Sequence, residues 1–347
     1  MELKFRITKI ISETKDTKSF FLQPPDQKVI DYKAGQFLTL IFKHNKREIR
    51  RSYSLGSTPL VDKQLFITVK RKVNGEISRH LLDHYKEGDT LTCLAPSGRF
   101  TIHEPLAQTY FFIVAGSGIT PAFALIKELL HHHDTTKIIL LNQCRDEKNI
   151  IYKKKLLSLQ KEFEKRFEVI QFLSRPKSPQ HTALHLNNEI LEEIVKQKNI
   201  NARLPNINAQ FYLCGPLPFM RMAEFTLRLL GFSADQIRKE HFVIETPPHA
   251  PLLTNTSPKQ IIIHHQQKTY NLQAAYPVSI LDAALQNNIQ LPYSCKAGRC
   301  STCAAFCIKG KVVMSMNEVL TEKDLAKGLV LTCIGFASTD VELNFDF

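Results

Sequence analysis

Three cysteines on one short loop constrain this chain more than anything else in it. Cys295, Cys300 and Cys303 stand in the spacing C-x4-C-x2-C, and Cys333 follows after an intervening stretch, giving C-x4-C-x2-C-x29-C. This is the ligand spacing of a plant-type [2Fe–2S] cluster, in which two irons take four thiolates between them. Small residues in Ser294-Cys295-Lys296-Ala297-Gly298-Arg299-Cys300-Ser301-Thr302-Cys303 let a backbone wrap closely, and Gly298 can take a positive φ. Backbone N–H groups in such a loop can donate to the sulfurs. The competing readings are a zinc site, which prefers paired C-x2-C motifs, and unconnected buried thiols. Cys307 reads as an ordinary small core residue.

The segments PYSCKAGRCSTC and LTC resemble a ferredoxin, and that resemblance implies an α+β β-grasp fold over residues 260–347. Within it KQIIIHHQQKTYNLQ reads as a β-hairpin and SILDAALQNN as a helix. Residues 246–259, TPPHAPLLTNTSPK, hold four prolines and no glycine and read as an extended linker.

The two stretches before the linker differ in period. In residues 1–106, runs such as FRITKII, QFLTLIF, QLFITVKR and DTLTCLA are separated by turn-like segments, which favours an antiparallel β-barrel or sandwich. One helix, Ser78 to Tyr85, is expected to interrupt them with Ser78 as its N-cap. In residues 107–245, YFFIVAG, KIILLNQC, FEVIQFLS and FYLCG alternate with helical segments, the sign of parallel βαβ units in an α/β domain. The Lys153–Lys155 run reads as a solvated helix face.

Two constellations lie on these stretches. Arg51-Ser52-Tyr53-Ser54 ends a predicted strand, and Gly75-Glu76-Ile77-Ser78 opens the predicted helix. A tyrosine face can stack on a flat ring, an arginine can pair with a diphosphate, and a helix N-terminus favours an anion. Downstream, Ala115-Gly116-Ser117-Gly118-Ile119-Thr120-Pro121 joins a strand to a helix, where glycines admit a phosphate and Pro121 suits a first turn. Cys214-Gly215-Pro216 and Ser174-Arg175 each follow a strand.

R-x-Y-S, then G-x-x-S, then GxGITP, in that order, resembles the ferredoxin–NADP reductase family of flavoproteins. The resemblance implies that Arg51, Gly75 and Ser78 hold the diphosphate of FAD, that Tyr53 stacks on the isoalloxazine and that Ser54 approaches its N5. It implies that Gly116, Gly118, Thr120, Pro121, Gly215 and Pro216 receive the pyridine nucleotide, with Cys214 beside the nicotinamide. It further implies that Ser174 and Arg175 take an adenosine 2′-phosphate, which favours NADPH with NADH as the alternative donor. Phthalate-type reductases share the C-terminal ferredoxin but use FMN; Gly75 and Ser78 favour FAD. Ser54 and Cys214 are the expected catalytic pair. The domain order resembles that of reductase components of phenylacetyl-CoA epoxidase systems. The implied activity is an NAD(P)H-dependent oxidoreductase passing electrons through FAD and a [2Fe–2S] cluster to an oxygenase partner. The alternatives are the reductase of another aromatic-ring or Rieske oxygenase, or an electron-routing subunit of a larger dehydrogenase.

Composition narrows the partners. The chain has 347 residues and a formal charge of +13. No nucleic-acid recognition motif accompanies that charge, so it points to phosphate-bearing cofactors and an acidic redox partner rather than nucleic acid. The most apolar run, Tyr110 to Ile126, contains two glycines and a proline and is shorter than the ~20 residues of a membrane span. No membrane insertion and a cytoplasmic location, where thiols stay reduced, are expected.

Overall fold

In the computed structural model, which describes residues 2–25, 29–44, 47–103, 106–198, 200, 209–242, 249–253 and 255–346, the N-terminal apolar runs become strands. These are β1 (Glu2–Thr14), β2 (Thr17–Gln23), β3 (Phe37–His44), β4 (Arg47–Ser54), β5 (Leu65–Lys70) and β6 (Thr90–Leu94). They form an antiparallel sheet in the order β4-β3-β6-β1-β2-β5. Just past β4, Leu55 bridges Ile67 of β5, and the Gly56 N–H donates to Phe66 O at 3.0 Å. The two terminal strands therefore meet and the sheet closes as a barrel, removing most of the edge an open sheet would expose. Phe5 and Ile7 of β1 and Leu38, Leu40 and Phe42 of β3 point inward at every second position.

The helix beside the barrel, α1, spans Glu76–His84, starting two residues and ending one residue before the Ser78–Tyr85 expected. Its N-cap is Gly75, not Ser78, and Tyr85 caps its C-terminus. Ser78 cannot cap because it is buried in the first turn, with its Oγ accepting from the Lys72 N–H at 3.1 Å. A Cβ on Gly75 would lie 2.6 Å from that same Oγ, so the residue at the cap has to be glycine.

The next stretch alternates strictly. Strands β7 (Thr109–Ala115), β8 (Lys137–Cys144), β9 (Phe167–Leu173), β10 (Ala209–Cys214) and β11 (Ile237–Glu240) are joined by α2 (Ile119–His132), α3 (Lys153–Glu162), α4 (Asn188–Gln197) and α5 (Leu217–Leu229). All neighbours are parallel, in the order β11-β10-β7-β8-β9. Both faces are covered, which is why the strands read as continuous apolar runs. Tyr110, Phe112 and Val114 pack with α2 and α3 residues, while Phe111 and Ile113 pack with residues of α4 and α5. Lys155 is not on a solvated face: its Nζ lies 5.0 Å from the Phe66 ring and 4.9 Å from the Tyr152 ring and pairs with Glu13 at 3.2 Å.

The chain divides into two units, Met1–Phe242 and Val243–Phe347. Of the expected linker, residues 246–248 and 254 lie outside the described residues, and the others, apart from Lys259 at the start of the next strand, form no helix or strand. The second unit contains β12 (Lys259–His265), β13 (Lys268–Ala274), α6 (Ile280–Gln286), β14 (Ala304–Lys309), β15 (Val312–Met314), α7 (Glu322–Ala326), β16 (Leu329–Leu331), β17 (Gly335–Ala337) and β18 (Val341–Asn344). The main sheet, β13-β12-β18-β14-β16, is mixed, with β12 and β18 parallel at its centre. The β12–β13 hairpin turns through Gln266 and Gln267, both at positive φ (53° and 60°), the geometry that matches strand twist. Ser279 caps α6 by accepting from the Asp282 N–H at 3.1 Å, and Ile280, Leu281, Ala283 and Ala284 are buried beneath it. This is the β-grasp arrangement. Among the described residues no helix is long and apolar enough to cross a membrane.

Candidate functional site

In an open parallel sheet, ligands bind outside the carboxyl ends of the strands where the strand order reverses. Here that point lies between β7 and β10, the neighbours whose crossover helices lead to opposite sides. The Gly116–Gly118 turn leaves β7 at this position and α2 follows it. The two glycines serve different ends. Gly116 is at φ +59°, and a Cβ there would meet only the Lys70 Nζ, at 4.0 Å, so the turn faces open space. Gly118 faces inward: a Cβ would lie 2.1 Å from the carbonyl oxygen of Cys214. Thr120 and Pro121 are buried in the first turn of α2. Gly215 follows Cys214 with Ala115 and Phe219 close by, and Pro216 caps α5.

Cys214 ends β10, fully buried, in register with Val114 of β7 and Glu240 of β11. Burial pushes its thiol well up, and the nearby Glu240 adds to the rise. The Ser54 hydroxyl, at the end of β4, donates to Glu240 Oε2 at 3.2 Å. A hydroxyl from the barrel and a carboxyl at the sheet's carboxyl end thus meet, with Cys214 beside them. Desolvation raises the Glu240 carboxyl to about 8, opposed by the Ser54 hydrogen bond. Sequence reasoning selected Ser54 and Cys214 and missed Glu240. In the run Arg238-Lys239-Glu240-His241 it reads as one charge among several. The usable signal was its place at the end of a strand, and that short strand was not recognised.

The other flavin-side residues fall on the same barrel. β4 is a terminal strand that pairs with β3 along Arg51–Ser54. Tyr53 is half-buried against the barrel core, and burial raises its hydroxyl while Arg51 opposes the rise. Arg51 is exposed, with Nη1 donating to Arg50 O at 2.7 Å. The first turn of α1 has no side-chain cap, and a helix N-terminus favours an anion such as a diphosphate. Glu76 in that turn works against an anion. An aromatic ring and an exposed cation on β4, and a helix N-terminus without a side-chain cap, are the kinds of group that a flavin diphosphate calls for.

Ser174 and Arg175 lie across a second hollow. Their N–H groups donate to Cys144 O and Arg145 O at 3.0 and 2.7 Å, zipping the end of β9 to the turn after β8. A cavity of about 440 Å3 is lined there by residues that include Lys70, Gly116, Arg145, Ser174 and Arg175, and among the described residues no carboxylate lines it. The expected 2′-phosphate pair is therefore joined to the glycine turn by one basic hollow. Lys70 and Arg145 were not among the expected site residues, because a single sequence gives no sign that β5 reaches this turn.

In the second unit, the four cysteines form a string of neighbours. The Cys295 sulfur contacts Cys300 and Cys333, and Cys333 also contacts Cys303. The Cys295 N–H donates to Cys300 Sγ at 3.5 Å and the Ala297 N–H to Cys295 Sγ at 3.3 Å. Lys296, Gly298 and Ser301 all take positive φ, which turns the loop's backbone inward. A Cβ on Gly298 would press on Ile334 at 3.1 Å and Met316 O at 3.3 Å. Thr332 ties the turn that carries Cys333 to the loop, its Oγ1 donating to Cys303 O at 2.8 Å. Among the described residues no His, Cys, Asp or Glu group is arranged around a single ion. The string, with Cys295/Cys300 at one end and Cys303/Cys333 at the other, suits two irons taking two thiolates each. All eight cysteines are free of disulfides.

Comparisons with known proteins follow this division. An oxidoreductase FAD-binding domain model matches residues 4–102, an oxidoreductase NAD-binding domain model residues 112–224, and a 2Fe-2S iron-sulfur cluster binding domain model residues 263–338. The ferredoxin reductase component of 3-ketosteroid-9-alpha-monooxygenase from Mycolicibacterium smegmatis is 30% identical over 99% of this chain and 97% of its own. A component of the 1,2-phenylacetyl-CoA epoxidase of Escherichia coli is also 30% identical, over 98% and 96%. The glycine betaine monooxygenase reductase subunit of Pseudomonas aeruginosa is 26% identical over 98% and 94%. Among solved structures, phthalate dioxygenase reductase shares the fold with a TM-score of 0.61 at 21% identity, covering 100% of this chain and 98% of that one.

Proposed function

Since the chain belongs to the family of oxygenase reductase components that join FAD-binding, NAD-binding and [2Fe–2S] domains, we propose that it takes reducing equivalents from NADPH and delivers them to an oxygenase component in the cytoplasm. The domain limits we assign are 1–106, 107–245 and 260–347. Bound in these domains, FAD supplies the exchange between a two-electron hydride and single electrons, and the cluster supplies a one-electron store.

The protein's own part is positioning. Gly116 leaves room for the nucleotide diphosphate at the start of α2, a helix N-terminus that favours an anion. Gly118 lets the turn sit against Cys214, which places the nicotinamide subsite beside the buried thiol. Ser54 aims its hydroxyl at the same place from the barrel, and Glu240 holds it there and keeps a proton up to about pH 8. Arg51, Tyr53, Gly75 and Ser78 hold the flavin, and Cys295, Cys300, Cys303 and Cys333 hold the cluster.

The observation that carries this reading is the meeting of Ser54 and Glu240 at the strand-order reversal, next to Cys214 and the glycine turn. The choice of NADPH rests on the carboxylate-free basic hollow at Ser174 and Arg175. Its test is Arg175→Gln. A lost hydrogen bond to a charged group costs about 1.5–3 kcal/mol, so kcat/KM for NADPH should fall roughly 10- to 100-fold while NADH turnover barely changes. Equal losses with both donors would overturn the assignment. For the acceptor, the phenylacetyl-CoA epoxidase type is our first reading. The 3-ketosteroid monooxygenase type is the second, favoured by an identity of the same size. Turnover coupled to each purified oxygenase component separates them.

A further inference from the structure

Of the charged residues described, Lys127, Asp146, Lys259 and Arg299 expose the least surface. Arg299 alone lies inside the cysteine loop, between Gly298 and Cys300. Its side chain is 6% exposed, with Nε 2.8 Å from Glu318 Oε2 and Nη2 3.4 Å from Oε1, a two-pronged contact. Both partners are stitched to the loop by their backbones. The Arg299 N–H donates to the Cys295 sulfur, and the Glu318 N–H donates to Gly298 O at 3.3 Å.

Removing two charges from water is costly, and apolar residues of like volume would often stabilise a fold as well or better. Stability alone is therefore a poor reason for this pair. Its place is a better one. Fixed charges in a low-dielectric interior act strongly on any charge that changes nearby, and the charge that changes here is that of the cluster when it gains an electron.

We propose that the two charges of the Arg299–Glu318 pair bias the reduction potential of the cluster in opposite directions, the guanidinium favouring the added electron and the carboxylate opposing it, so that the intact pair holds the potential in balance. The proposal rests on the four cysteines being the cluster ligands. The step it biases adds one electron to the cluster and moves no proton of the pair.

The test is a redox titration of the full-length protein, following the electron paramagnetic resonance signal of the reduced cluster so that the flavin does not interfere. Glu318→Gln should raise the midpoint potential and Arg299→Met should lower it. At a fixed ambient potential near the midpoint, each should shift the oxidised-to-reduced ratio by about tenfold, ~59 mV for a one-electron couple. The double variant should return close to the parent, because both charges are gone. A brace with only a structural role would move both single variants the same way, or neither, and either result overturns the proposal. If Arg299→Met fails to assemble, Glu318→Gln alone decides by the sign of its shift. Two irons per chain in the parent, with a thiolate-type spectrum, must hold first; their absence would defeat the ligand assignment rather than the pair.

Discussion

The two units carry charge in opposite ways. Residues 243–347 contain eight Lys and Arg and eight Asp and Glu, so the whole excess of +13 lies in the first 242 residues. There the cations around the basic hollow are loosely matched: Lys70 and Arg145 reach Asp16 and Asp146 only at 3.8 and 3.7 Å. In the second unit, the buried cation of the cysteine loop is matched closely, at 2.8 Å. The difference suits what each unit holds. A phosphate-bearing ligand that must enter and leave needs accessible positive charge. A resident cluster needs fixed thiolates and a balanced interior, since an uncompensated buried charge would cost several kcal/mol.

The largest test of this division removes one thiolate. Cys300→Ser should abolish electron delivery to the oxygenase while NADPH-driven reduction of a dye such as ferricyanide continues at close to the parent rate. Loss of outer partners of a metal site alone costs ~10–100-fold, so loss of a ligand should exceed that. If a folded, FAD-loaded variant lost both activities equally, the two units could not be assigned separate tasks.

How far the sequence disclosed these units depends on how local the signal is. The cluster loop was readable because its ligands crowd into nine residues, with glycine and small side chains fixing the backbone. The glycine turn was readable for the same reason. Glu240 was not, because its significance comes from the parallel pairing of β11 with β10, a non-local contact, and from burial that its charged neighbours disguise. Arg299 was named only as part of the loop, and its partner Glu318 lies beyond the cysteine motif. The helix after Gly75 was found but mis-capped, since nothing in the sequence shows that the Ser78 hydroxyl is taken by Lys72. Lys155 was misread because lysine runs are usually solvated, while the rings it covers are Phe66 of the barrel and Tyr152 just before α3.

A smaller test stays within the first unit and asks whether the glycine turn is set by packing or by conformation. Gly118→Ala would push a Cβ to 2.1 Å from Cys214 O, and overpacking of that kind costs about 1–3 kcal/mol. For a unit of this size, ~1 kcal/mol lowers Tm by about 2–4 °C. Gly116→Ala meets open space, and only its φ of +59° is strained, which costs ~1–2 kcal/mol. The temperature at which flavin fluorescence is released should fall for both. NADPH KM should rise more for Gly116→Ala, because its methyl enters the side left open for phosphate. The reverse order of KM effects would show that the open face is not the ligand face.

The last test concerns Glu240, the carboxyl at the end of β11, and is read as a difference between pH values. Its folded pKa of about 8 is raised above the ordinary carboxyl value by burial, against the Ser54 hydrogen bond. A raised acid contributes stability in full below its unfolded pKa, about 4.3, and that contribution is lost as pH rises through the folded value. Glu240→Gln keeps the shape and removes the titration. The parent should therefore lose stability relative to the variant between about pH 4.5 and pH 8, and the two curves should run parallel outside that window. The pH profile of NADPH oxidation should lose an inflection near pH 8 in the variant. Parallel curves throughout would mean that water reaches the carboxyl freely, and the second carboxyl-end group of the first unit would then be an ordinary surface charge.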